Sequence, residues 1–228
     1  MKEHEIRPEK IFNEYLRLAK IDTEVYFGKS KREILPCPSC NKEGVFSFKK
    51  DHFDYCECKE CLNLFVSPRP IVEAFNSYYQ NSPSVKYWAT TFYKKTEKAR
   101  REKIWKPKAK LINKLLKSLN AGDYDIIDVG GGYGIFAEEM KKLTKRNLYI
   151  IEPGPELAKI CREKGFIVYE NFLENLHIND MPNSKKCFVS FELFEHLHSP
   201  EKFLENLNHL MNKDDIFIFS TLSSSGID

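Results

Sequence analysis

Apolar residues at Ile11, Phe12, Tyr15, Leu16, Leu18 and Ala19 recur at a near-helical spacing, which predicts a short amphipathic helix from Pro8 to about Lys20. Between residues 34 and 70 the pattern breaks into short alternating runs such as Val45-Phe46-Ser47-Phe48, punctuated by Pro36, Pro38, Gly44, Pro68 and Pro70. That segment has almost no core of its own. From Tyr78 to Leu119 a helical pattern returns, rich in lysine and aromatics, with breaks expected at Pro83 and Pro107 and a last helix from Pro107 to Leu119. Beyond Asp125 short apolar runs alternate with amphipathic ones. Strands are predicted at 125–129, 148–151, 166–169, 187–191 and 216–220, with helices at 133–145, 155–164 and 200–212. Apolar strands separated by helices predict a parallel sheet covered on both faces. Right-handed crossovers then gather the loops after each strand on one carboxyl edge, where ligands bind in such sheets.

Length and charge refine this division. The 228 residues suit one large domain with an appendage, and 42% hydrophobic with 30% charged residues excludes collagen-like, disordered and membrane-spanning classes. Mean hydropathy is −0.49. No apolar run approaches the roughly 18 residues of a spanning helix. The charged N-terminus lacks the apolar stretch of a secretory peptide, so a cytoplasmic location is expected, where seven cysteines are thiols or metal ligands. Residues 1–120 carry a net charge of +10 and residues 121–228 one of −7, which suggests a boundary near Ala121-Gly122. The expected organisation is therefore an N-terminal helix (1–33), a cysteine module (34–70), a helical lid or linker (71–120) and an α/β domain (121–228).

The cysteine module has its own chemistry. Cys37-Pro-Ser-Cys40 and Cys58-Lys-Glu-Cys61 form a C-x2-C-x17-C-x2-C pattern, inside the range of a zinc ribbon whose two knuckles supply four thiolates to one ion. So small a segment needs such a staple to fold. Cys56 competes for the second knuckle, but the x-x spacing favours Cys58 with Cys61, and Asn63 is available for the tight turn. Four thiolates leave no open position, so the role is structural. Cys161 and Cys187 fall inside a predicted helix and strand and are expected in the core.

The segment Asp125-Ile-Ile-Asp128-Val-Gly130-Gly131-Gly132-Tyr133-Gly134 runs an apolar strand through a glycine turn into a helix. Such a turn lets a ligand approach backbone N–H groups closely. A dinucleotide fingerprint fails, because its third glycine would fall on Ile135. Asp128-x-Gly130-x-Gly132-x-Gly134 instead resembles motif I of the class I S-adenosylmethionine-dependent methyltransferases. The resemblance continues through Tyr149-Ile-Ile-Glu152-Pro153 and Phe191-Glu-Leu-Phe-Glu195-His196-Leu. The ribbon, Pro68-Arg69-Pro70, Tyr78-Tyr79 and Tyr87-Trp88 resemble the N-terminal part of zinc-ribbon methyltransferases that act on sugars and small metabolites.

This resemblance implies a doubly wound, mainly parallel Rossmann-like sheet, truncated after the fifth strand, because the family's sixth and antiparallel seventh strands would follow Ser223–Asp228. An edge left open at 216–220 would invite pairing with another chain. It implies S-adenosylmethionine held by Asp128, Gly130, Gly131, Gly132, Gly134, Glu152 and Pro153, with Glu152 on the ribose hydroxyls and Asp128 on the cationic side of the methionine. Adenine would lie near Asn171 and Phe172, and Trp88 would close over the cofactor from the lid. His196, with Glu195, is the candidate base for a hydroxyl acceptor. The expected function is methyl transfer to a small-molecule or sugar-like acceptor. Alternatives are an RNA methyltransferase using the ribbon and the basic stretch of Lys94 to Lys117, and a cofactor-binding module without transfer. In that stretch 11 Lys+Arg face only 2 acidic residues, which equally describes a solvated helix face. Glu192-x-x-Glu195-His196 also resembles the magnesium-ligating segment of small-RNA 3′-end methyltransferases.

Overall fold

The computed structural model describes residues 3–222. The run Ser223–Asp228, where further strands would begin, lies outside them. A short helix α1 (Glu3–Ile6) precedes α2 (Glu9–Phe27), which continues well past Lys20, with Asp22 buried and accepting the Ser84 N–H at 2.7 Å and Phe27 buried at its end. Two-residue strands β1 (Arg32–Glu33) and β5 (Arg69–Pro70) pair antiparallel and clasp the base of a three-stranded antiparallel sheet. That sheet is β2 (Gly44–Lys50), β3 (Phe53–Cys58) and β4 (Leu64–Val66), in the order β2-β3-β4.

Helix α3 (Val72–Asn81) ends before Ser82, whose hydroxyl caps the next helix and whose successor Pro83 starts it, as expected. From Pro83 the chain stays helical to Ser118, through α4 (Pro83–Tyr87), α5 (Tyr93–Arg100) and α6 (Lys106–Ser118). Two π-turns join these, Trp88–Phe92 and Arg101–Trp105. In each, the next residue's N–H reaches back five residues, Tyr93 to Trp88 and Lys106 to Arg101. The break expected at Pro107 does not occur. A π-turn directly before a proline loosens the spacing where a ring without an N–H would otherwise meet the preceding turn.

The α/β part contains β6 (Asp125–Val129), α7 (Ile135–Lys141), β7 (Leu148–Ile151), α8 (Pro155–Glu163), β8 (Ile167–Tyr169), β9 (Lys186–Phe191), α9 (Pro200–Leu210) and β10 (Ile216–Ser220). The sheet order is β10-β9-β6-β7-β8 and every neighbouring pair is parallel. Strand order reverses between β6 and β9, so the carboxyl end of β6 is the topological switch point where ligands bind. Both faces are covered. One carries Phe136, Met140 and Cys161; the other carries Leu173, Phe203, Leu207 and Leu210.

The first of these cores also takes Ala109, Ile112 and Leu116 of α6, with Trp105 packed against them. The boundary expected near Ala121-Gly122 is therefore not a boundary between cores. Charge changes sign there, but the preceding amphipathic helix buries its apolar side in the sheet, at roughly 1.5–3 kcal/mol for each large side chain. Arg101 fastens the same helix to α7, bonding Glu97 at 2.5 Å and Glu138 and Glu139 at 2.7 Å.

Candidate functional site

The turn after β6 is built for close approach. Gly130, Gly132 and Gly134 have φ of 72°, 55° and 73°, which accounts for glycine at alternate positions. Gly131 is required by space instead: a Cβ there would lie 2.7 Å from Ile150 Cγ2 and 3.2 Å from Asp128 Oδ2.

Two buried carboxylates flank this turn. Glu152, at the end of β7, accepts the Gly132 N–H through Oε2 and the Gly154 N–H through Oε1, both at 2.9 Å. Burial pushes its pKa up to about 6, against the pull of those two N–H groups. Pro153 sits half-buried between Glu152 and Gly154. Asp128 is also buried, and its Oδ2 has no hydrogen-bond partner among the described residues. Burial, then the Glu152 charge, raise its pKa to about 7.

A cavity of about 120 Å³ opens at this turn, lined by Asp128, Gly130–Gly132, Tyr133, Ile135 and Phe136 on the α/β side. Tyr93, Arg100 and Trp105 close it from the lid helix, and Phe191 and Glu192 from β9 and its following loop. Trp88, expected here, stands behind the wall, stacked on Phe92 at 4.0 Å and edge-on to Tyr93 at 5.9 Å. Tyr93 in turn stacks on Tyr133 at 5.6 Å.

Asn171 and Phe172 are outside the lining as well. Asn171 Oδ1 accepts from the Phe172 N–H at 2.9 Å and from Asn175 Nδ2 at 3.0 Å, capping the turn after β8. His196 and Glu195 are exposed beyond the cavity, Glu195 accepting from Thr221 Oγ1 at 2.8 Å. The residue of that loop that reaches the cavity is Glu192, whose φ of 54° is a left-handed backbone at a non-glycine position. Such strain gathers at functional sites. Its Oε1 accepts from Ser220 Oγ at 2.8 Å and lies 3.4 Å from Lys108 Nζ. The same loop is tied to the N-terminal part: the Arg69 guanidinium donates to the His198 carbonyl, and His198 Nε2–H to the Pro70 carbonyl at 2.9 Å.

Sequence reading missed Tyr93, Arg100, Trp105, Tyr133, Phe191 and Glu192 as lining residues. The aromatic and basic interleaving around Trp105 is a signal of them in the sequence, and it describes a solvated helix face equally well. The π-turns at Trp88–Phe92, before Tyr93 and Arg100, and at Arg101–Trp105 rotate the lid residues by steps that a regular helical period does not contain.

In the ribbon, Cys37, Cys40, Cys58 and Cys61 bring their sulfurs within 4.8 Å of one another, with Cys37···Cys61 at 3.5 Å and Cys40···Cys58 at 3.4 Å. A tetrahedral zinc with 2.3 Å bonds has sulfur–sulfur edges of about 3.8 Å, so the donor set fits that ion. The knuckles match: Asn41 N–H bonds Cys37 O and Leu62 N–H bonds Cys58 O, both at 2.9 Å, and Asn41 and Leu62 each take a left-handed φ. Leu62, not Asn63, thus makes the second turn; the Asn63 amide instead points at Cys37 Sγ, 3.8 Å away. Cys56 is outside the cluster and donates to the Ser67 carbonyl at 3.3 Å. Burial raises the Cys37 thiol, but the Ser39 and Cys40 N–H groups outweigh it and leave its pKa below the ordinary value. Cys161 and Cys187 are buried in the α/β core as expected.

A five-stranded parallel sheet in this order, with a glycine turn and an acidic residue at the tips of its first two strands, defines an α/β protein of the Rossmann-like class. Residues 97–227 match the family model described as "Methyltransferase domain", and the chain belongs to that family. Among solved structures it is similar to the plantazolicin methyltransferase BpumL bound to a pentazolic desmethylPZN analog and SAH, with TM-score 0.51 and 13% identity over 65% of this chain and 57% of that one. It is also similar to the plantazolicin methyltransferase BamL with a triazolic analog and SAH, with TM-score 0.50 and 14% identity over 63% and 53%. At such identities the likeness is one of fold. The chain spans somewhat more than half the length of those proteins. No curated protein sequence matches it significantly.

Proposed function

We propose that this chain binds S-adenosylmethionine at the glycine turn and transfers its methyl group to a small-molecule or sugar-like acceptor. The observation that carries this reading is the pair of buried carboxylates around the turn, Glu152 occupied only by backbone N–H groups and Asp128 with an orphaned oxygen. A carboxylate accepts two vicinal hydroxyls as readily as two N–H groups, so Glu152 can exchange its present partners for ribose hydroxyls. Asp128 holds a cation, and Pro153 and Gly154 shape the turn beside it. The bound cofactor supplies an electrophilic methyl group on a sulfonium.

The chain's own work is positioning and exclusion of water. Most acceleration of an in-line displacement comes from holding the two partners about 3 Å apart and aligned. The lid helix, fixed by Arg101, covers the site with Tyr93 and Trp105. Trp88 supports Tyr93 from behind. Adenine would lie toward Asn171 and Phe172, past the end of β8. His196 and Glu195 stand on the loop that borders the acceptor side, where His196 would receive a hydroxyl proton once an acceptor is bound. The four ribbon cysteines would hold a structural zinc. No described helix is long and apolar enough to cross a membrane.

Several lysines of the basic stretch are engaged within the chain, Lys103 with Glu5, Lys106 with Glu102 and Lys108 with Glu192. This favours a small acceptor over RNA. Calorimetric titration with S-adenosylmethionine, S-adenosylhomocysteine and NAD tests the proposal. Saturable binding of the first two supports it, and preferential binding of NAD refutes it.

A further inference from the structure

Strand β2 of the ribbon buries none of its residues: Gly44 is half-buried and the other six are exposed. Val45, Phe46 and Phe48 leave 48%, 60% and 41% of their surface to solvent. The buried core of the ribbon is Cys37, Cys56, Cys58 and Phe65, to which β2 contributes nothing. One edge of β2 pairs with β3, and no described strand lies on the other. An apolar strand with an open edge is a template for a further strand.

The kind of strand that fits is set by a bulge. Phe46 and Phe48 lie opposite the consecutive β3 residues Cys56 and Tyr55, so Ser47 is an extra residue that kinks β2. A regular strand does not follow such a kink, which is why bulges guard edges. A second copy of this chain carries the same kink. Antiparallel two-fold pairing centred on the Phe46–Ser47 peptide sets one bulge against the other.

The side chains agree with that register. It places Val45 opposite Phe48 of the second copy, Gly44 opposite Lys49, and Glu43 opposite Lys50. The β3 partners put Val45, Phe48 and Lys50 on one face, with Glu57, Tyr55 and Phe53, and Gly44, Phe46 and Lys49 on the other. Each opposed pair therefore shares a face, which an unbulged strand would not allow at this offset. The charges agree as well. Lys49 is held by Asp54 at 3.4 Å, whereas Glu43 and Lys50 enter no ion pair among the described residues. Across the axis they meet as two Glu–Lys pairs.

We infer that β2 is the strand through which two copies of this chain pair, joining their three-stranded ribbons into one antiparallel sheet. Val45 and Phe48 of each copy cover those of the other. The contact is isologous and closes on itself, so it ends at a dimer. It does not depend on the proposed cofactor or acceptor.

The test is analytical ultracentrifugation of the full chain with zinc present, at about 100 µM, because a single strand pair is smaller than a standard interface and holds weakly. The wild-type chain should be largely dimeric. Glu43→Lys sets two lysine pairs across the axis and Lys50→Glu two glutamate pairs, and each should weaken the dimer about tenfold. Both positions are exposed, so the fold tolerates the changes. Mixing the two variants restores opposite charges at both pairs and should recover the wild-type affinity within about twofold. A monomeric wild-type chain overturns the inference. So does a dimer that neither variant weakens, the result expected of pairing through β10, or a failure of the mixed variants to recover.

Discussion

Replacing Glu152 by glutamine preserves the shape of the site and should separate stability from binding. Glu152 is 7% exposed, and burial has moved its pKa from 4.5 to about 6. An acid whose folded pKa is raised contributes stability below its unfolded value and loses it as pH climbs through the folded one. At pH 8 the ionised side chain therefore costs about 2 kcal/mol relative to pH 4. Glutamine does not ionise and escapes that cost. It forfeits one of the two N–H bonds, because its NH2 end faces a donor, which costs a comparable 1.5–3 kcal/mol or so.

Glu152→Gln should accordingly be close to neutral in stability at pH 8 and destabilising at pH 4, by about 2 kcal/mol or some 4–8 °C in Tm. Binding should respond differently. The amide accepts at only one oxygen, so affinity for S-adenosylhomocysteine should fall at least tenfold, about 1.4 kcal/mol, at either pH. Thermal unfolding at the two pH values and calorimetry at pH 8 make the comparison. Unchanged affinity would refute the ribose role. A large loss of stability at pH 8 with a matching loss of binding would show Glu152 to be structural only.

Affinity for S-adenosylmethionine should rise as pH passes through about 7, because the Asp128 carboxyl, raised by burial and by Glu152, must ionise to hold an ammonium; Asp128→Asn should abolish that rise, as titration across pH 6–8 would show. Cys58→Ser should remove stoichiometric zinc by elemental analysis, and hydrogen exchange should then show residues 34–70 unprotected while β6, β7 and β9 stay protected. Changing Lys98, Lys103 and Lys106 together to Gln should leave cofactor affinity within twofold and cost about 1 kcal/mol or less in stability, since these pairs are exposed; strong, salt-sensitive RNA binding lost in that variant would revive the nucleic-acid reading.

The sheet was legible because parallel strands covered on both faces are short unbroken apolar runs: buried β6, nearly buried β7 and the half-buried edge strand β10 all fall on the expected residues. Helix ends were less so. Helix α7 begins at Ile135 rather than Tyr133 because Gly134, in the left-handed region, cannot join it. The glycine and carboxylate positions were readable from spacing, since each follows from one strand tip. The lid wall was not. Whether Trp88 or Tyr93 and Trp105 face the cavity depends on two π-turns, and each shifts the register of everything after it. Glu192 is not distinguishable from Glu195 and His196 in the sequence, because a left-handed glutamate leaves no mark in composition or period. Cys56 and Cys58 lie on the same side of β3, and only the x-x spacing to Cys61 separates them in the sequence.

The most direct test of the account is a crystal structure of the chain with S-adenosylhomocysteine. The account predicts the ribose hydroxyls on Glu152, the ammonium on Asp128 and the nucleoside across the carboxyl ends of β6 and β7, with the lid helix in place over the glycine turn. A ligand bound elsewhere, or a site that stays empty at saturating concentration with Glu152 still bonded to the Gly132 and Gly154 N–H groups, would contradict it.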